Sequence, residues 1–94
     1  MLNLPAKITH NEADALARSL TSQVSAEPDH VVVGALQLVE FDSSALAVLL
    51  ACRRAAAIAG KAFSVSDLPG KLVQLATLYG VAQLLVPAGL PEST

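Results

Sequence analysis

Tryptophan is absent, and Phe41, Phe63 and Tyr79 are the only aromatic side chains. Any core must therefore be filled mainly by Leu, Val and Ala. A single cysteine, Cys52, excludes an internal disulfide framework and a cysteine-based zinc site. Charge is equally sparse, at 15% of residues with a net charge of −2, and no basic run exceeds Arg53-Arg54. Nucleic-acid binding needs phosphate-neutralising cations gathered on one face, and six scattered ones do not supply it. The most apolar stretch, Ala45 to Cys52, is far too short to cross a bilayer. Met1 to Pro5 lacks the charged start and long apolar stretch of a signal peptide, so the expected location is the cytoplasm. There is no G-x-x-x-x-G-K-[ST] phosphate loop either.

What remains is an oily chain. Hydrophobic residues make up 53% of 94, too many for a disordered segment and enough for one small domain over 1–94. The surplus of apolar over charged residues suggests that part of the surface is covered by another protein.

Pro5, Glu27-Pro28-Asp29, Gly60, Pro69-Gly70, Gly80 and Pro87 divide the chain into short segments. Thr9 to Glu12 has the form of a capping box, with Ile8 and Ala13 placed as a hydrophobic staple. Ala13, Leu16, Ala17, Leu20 and Val24 follow at helical spacing, which predicts an amphipathic helix of about four turns. Val31-Val32-Val33 is β-branched and reads as a buried strand running on towards Leu36. Asp42 or Ser43 can cap the next and longest helix, to which Gly60 supplies a C-terminal stop. Ala62 to Ser66 reads as a strand, and Pro69 and Gly80 bracket a third helix. Val81 to Val86 fits either a helical turn or a short strand. Helices alternating with strands predict an α/β fold, with a parallel or mixed β-sheet flanked by helices and right-handed crossovers.

The densest signal is Phe41-Asp42-Ser43-Ser44-Ala45-Leu46-Ala47-Val48-Leu49-Leu50. It sets an acidic residue and two hydroxyls at the start of an apolar helix, where free amides and a partial positive charge favour an acceptor. The segment resembles the D-S-S-G-L signature of STAS domains, the family of anti-sigma factor antagonists and transporter regulatory domains. Val31-Val32-Val33 lies upstream at a suitable distance, and Val65-Ser66-Asp67-Leu68 closes the strand after Gly60. Leu75-Ala76-Thr77-Leu78-Tyr79-Gly80-Val81 is similar to the L-A-K-L-Y-N-L ending of MlaB-type members. The likeness spans about residues 30–87.

The resemblance implies a STAS-like mixed sheet flanked by helices, with the usual N-terminal hairpin shortened to Met1–Lys7. It implies a cytoplasmic, non-catalytic subunit that binds the ATPase of an Mla-type ABC transporter for phospholipids. Contact with the membrane would then be only indirect, through that complex. The alternative within the family is an anti-sigma factor antagonist switched by serine phosphorylation. MlaB-type members place their functional hydroxyl at the position of Ser43, sporulation-type antagonists at that of Ser44. Ala45 stands where those antagonists usually carry glycine, which argues against a kinase substrate.

Asp42, Ser43, Ser44, Ala45, Val48, Cys52 and Tyr79 are therefore the candidate partner contacts, and Ser44 and Ser43 the candidate phosphorylation sites. Read from the residues alone, Asp42, Ser43 and Ser44 are helix caps and Cys52 is a small packed side chain. Of the longest helix, Leu46, Leu49, Leu50 and Ile58 are expected on the sheet. Ala45, Val48, Ala51, Cys52 and Ala55 are expected at the side or outward, where a partner chain or a second copy would meet them. Tyr79 fits a core position or an interface equally well. His10 and His30 lack companions at metal-ligand spacing, and no Ser–His–Asp set can be drawn, so neither a metal, a cofactor nor catalysis is expected.

Overall fold

The computed structural model describes residues 2–85. Two short strands, β1 (Leu2–Asn3) and β2 (Lys7–Ile8), precede helix α1 (His10–Val24). Then come β3 (His30–Gly34), β4 (Glu40–Phe41), α2 (Ser44–Ile58), β5 (Ala62–Ser66), α3 (Gly70–Leu78) and α4 (Ala82–Leu85). The α/β alternation expected from the sequence is present.

β3 is the central strand of a three-stranded sheet ordered β1-β3-β5, and both of its pairings are parallel. Its register with β5 sets Val31 beside Phe63 and Val33 beside Val65. Val31 and Val33 are fully buried, and burial of side chains this size stabilises by about 1.5–3 kcal/mol each. The strand stops at Gly34 rather than running on, and Leu36 is exposed.

The expected N-terminal hairpin does not form among the described residues. β1 pairs with β3, while β2 pairs in parallel with β4 as a separate two-stranded ribbon. Between β1 and β2, the Ala6 carbonyl accepts the amides of Val39 and Glu40, and Lys7 lies 3.8 Å from Glu40. The N-terminal segment is thus stitched to the stretch that leads into α2.

α1 starts as its capping box predicts. The Glu12 carboxylate accepts the backbone N–H and the hydroxyl of Thr9, each at 2.9 Å, and Ile8 is buried at the staple position. At the other end, the Lys61 ammonium donates to the carbonyls of Val24, Ser25 and Glu27. A cation there satisfies acceptors that the helix leaves open and opposes the negative end of its dipole.

α2 and α3 both end on a glycine with φ of +74°, a conformation that costs other residues their Cβ clearance. After α2, Gly60 donates to Ala57 and Lys61 to Ala56. After α3, Gly80 donates to Thr77 and Val81 to Ala76. Both are Schellman closures, and the second fixes the path of the chain from Tyr79 to Val81.

α2 lies between α1 and β5 and also meets α4. Its buried face consists of Ala45, Leu46, Val48, Leu49, Cys52 and Ala56. This corrects the expected orientation of the helix. Ala45, Val48 and Cys52, at 0%, 1% and 0% exposure, are core residues, whereas Ile58 is 82% exposed. Covering by α1 as well as by the sheet accounts for the difference, since small residues on α2 let its neighbours approach closely.

Candidate functional site: the N-terminal half of helix α2

Asp42 organises the start of α2. Its Oδ1 accepts the Ser44 N–H at 2.8 Å, so Asp42 rather than Ser43 supplies the side-chain cap. Its Oδ2 accepts the His10 N–H at 3.2 Å and lies 3.7 Å from His10 Nδ1. One carboxylate thereby joins the N-termini of α1 and α2. These bonds, that from the Ser44 amide foremost, hold the Asp42 carboxyl below its ordinary range. The Glu12 carboxyl is lowered in the same way, first by the Thr9 amide and then by its hydroxyl.

The two serines differ in setting. Ser43 is exposed, while Ser44 is half-buried against Asp42. Ser43 opens onto a shallow depression of about 290 Å³ lined by Leu46, Ala47 and Leu50 of α2 and by Tyr79 and Val81. Leu46 is buried and forms part of its floor, whereas Ala47 and Tyr79 are exposed, Tyr79 at 57%. Leu78 beside it is also exposed. The hollow is therefore apolar inside, with hydroxyls at Ser43 and Tyr79.

Of the residues singled out in the sequence, the structure brings Asp42, Ser43, Ser44 and Tyr79 to this end of the molecule's surface. Ala45, Val48 and Cys52 are withdrawn from it, being sealed by the chain's own side chains, so they cannot meet a partner directly. Burial also pushes the Cys52 thiol up to about 11. Sequence reasoning missed Ala47, Leu50, Leu46 and Val81 as lining residues. A signal was present: Ser43, Ala47 and Leu50 follow one another at i, i+4 and i+7 and so share a helix face with the exposed hydroxyl.

The histidines lie elsewhere. His30 Nε2 is 2.9 Å from Ser64 Oγ across β3 and β5, an exposed cross-strand pair. Among the described residues no three His, Cys, Asp or Glu side chains group as a metal site. No described helix is long and apolar enough to cross a membrane.

Chemically, the site offers an exposed hydroxyl, an open apolar hollow and a capped helix end, which suit recognition of another surface. A search of curated proteins gives no match. The family model described as "Mlab, STAS domain" matches residues 1–87, which adds the N-terminal segment to the stretch that resembled the family. The chain belongs to the STAS domain family.

Proposed function

We propose that this chain is an MlaB-type subunit that binds and supports the ATPase of a phospholipid-transporting ABC complex, at the cytoplasmic side of the membrane. STAS domains act in general as non-enzymatic regulatory or interaction modules. The observation that carries the finer reading is the depression between Ser43 and Tyr79. An exposed hydroxyl at the start of α2 opens onto apolar side chains, of which the described elements leave Ala47 and Tyr79 exposed. Apolar surface flanked by polar tips is the usual make-up of a protein contact, and tyrosine is favoured there.

The setting of the serines favours this reading over a phosphorylation switch. The more accessible hydroxyl is that of Ser43, the position matching the MlaB pattern, while Ser44 is tucked against the Asp42 carboxylate. A phosphate on Ser44 would add roughly two negative charges beside that carboxylate.

Co-expression with the ATPase subunit of an ABC lipid transporter encoded in the same operon tests the proposal. A stable complex that survives size-exclusion chromatography is expected. Separate elution of two folded proteins would reject it.

A further inference from the structure

We propose, resting on the docking role above, that the surface covering this depression is an amphipathic protein helix with a carboxylate set against Arg53 and Arg54. Both arginines are exposed, and neither has an ion pair or side-chain hydrogen bond among the described residues. Of the other four cations three are engaged, and Lys71 in the first turn of α3 is the one that, among the described residues, likewise stands without a partner. Lys7 faces Glu40, Arg18 lies 2.7 Å from Asp14, and Lys61 is held by three carbonyls. α2 carries no acidic residue at all, so nothing on its own helix balances the pair.

The helix dipole does not account for them. Its effect is confined to the last turn, and the last turn of α2 holds no basic residue.

Their position relative to the depression is specific. Arg53 and Arg54 stand at i+3 and i+4 from Leu50, and Arg54 is at i+7 from Ala47, so both lie one turn beyond the apolar lining. One turn is about 5–6 Å along the axis. Helical Cα–Cβ bonds tilt towards the N-terminus, which starts both arginine side chains back in the direction of Leu50. Apolar contact and positive charge therefore follow one another along a single stripe from Ser43 to Arg54.

That order has a complement. A helix laid along α2 would place apolar side chains into the hollow and an Asp or Glu about one turn away. Arginine suits such a contact, because its planar fork donates two parallel hydrogen bonds to a carboxylate and is weakly hydrated. A membrane is a poorer match. Anionic lipid surfaces are read by clusters of about 4–8 cations, whereas two stand here on a chain of net charge −2.

The test titrates the operon-encoded ATPase subunit with the wild type, with R53E/R54E, with R53K/R54K and with Ala47→Asp, at low and high salt. Thermal melts establish that each variant is folded. The double reversal is expected to weaken binding about tenfold or more at low salt, with the gap narrowing at high salt. The lysine variant, which keeps the charge but loses the bidentate fork, should bind with an affinity between those of the wild type and the reversal, and Ala47→Asp should abolish binding at both salts. Wild-type affinity for R53E/R54E, with binding still lost in Ala47→Asp, overturns the acidic-partner inference and leaves the docking reading standing. Wild-type affinity for Ala47→Asp, or no binding by any form, overturns the docking reading itself. Arginine-dependent sedimentation with phosphatidylglycerol vesicles, with ATPase binding insensitive to the reversal, would assign the pair to lipid and overturn the proposal.

Discussion

Ser43, which precedes α2, and Tyr79, which closes α3, line the same depression although they are far apart in the sequence. The parallel arrangement of β3 and β5 carries α3 round to this side, and the Schellman turn at Gly80 sets Tyr79 and Val81 against α2. Two segments that resembled one family separately therefore contribute to one surface.

Charge at the mouth of this depression should matter more than loss of the neighbouring hydroxyl. Ser43→Glu is expected to weaken the ATPase complex by about 2 kcal/mol or more, the scale of an interface hot spot. Ser44→Ala should change it little. Calorimetric titration of both variants against the ATPase compares them directly; equal affinities would argue that Ser43 lies outside the contact.

Core and surface positions of α2 should separate cleanly in stability. Leu49→Ala, which empties a fully buried site, is expected to cost about 2–5 kcal/mol. Ile58→Ala, at an exposed position, should fall within about 0.5 kcal/mol of the wild type. Urea melts of the two variants measure the difference.

Much of this architecture was legible in the sequence, for local reasons. The capping box at Thr9, the β-branched run at Val31 to Val33, and the helix-ending glycines 60 and 80 act over a few residues each. β5 coincides with the alternating stretch Ala62 to Ser66. β1, β2 and β4 were not legible, because strands of two residues have no periodicity and exist only through pairing with distant partners. The facing of α2 was misread for a different reason. Its apolar residues run nearly all round, so the sequence offers little contrast between faces, and packing by α1 decides which side closes. Ser43 and Tyr79 could be named from their motifs, but the hollow that joins them depends on tertiary placement.

Lys61 should prove important for stability despite its charge. Lys61→Met removes a charged donor from three carbonyls at the end of α1 and should destabilise the fold by about 2 kcal/mol. Denaturant unfolding of the variant would show it, and an unchanged midpoint would mean that water replaces the ammonium without loss.

Acid should unlatch the α1–α2 junction. The Asp42 and Glu12 carboxyls lie below their ordinary values of 3.8 and 4.5 in the folded chain. Their contribution is therefore present above those values and is lost as pH falls through the lower folded ones. Melting temperature should drop on acidification below about pH 4, and Asp42→Asn should lie below the wild type at pH 7 and approach it in acid. Circular dichroism melts across that range would reveal a constant gap if Asp42 makes no such contribution.

The Cys52 thiol provides the converse case at high pH. Its pKa rises from 9.0 to about 11 through burial, so the folded state keeps the neutral thiol where the unfolded state begins to ionise. Stability from this group is complete below pH 9 and diminishes as pH climbs towards 11. At pH 8 a thiol reagent should label Cys52 only at the rate of unfolding; rapid labelling of folded protein would show that the α2 core opens.

Hydrogen exchange of the chain, alone and mixed with the ATPase subunit, tests most directly where the partner sits. New protection is expected in the first half of α2, around Ser43 to Leu50, and at Leu78 to Val81, with the exposed face of α1 unchanged. Protection confined to α1 or to the β2–β4 ribbon, with the α2 face still exchanging freely, would contradict the docking surface assigned to this protein.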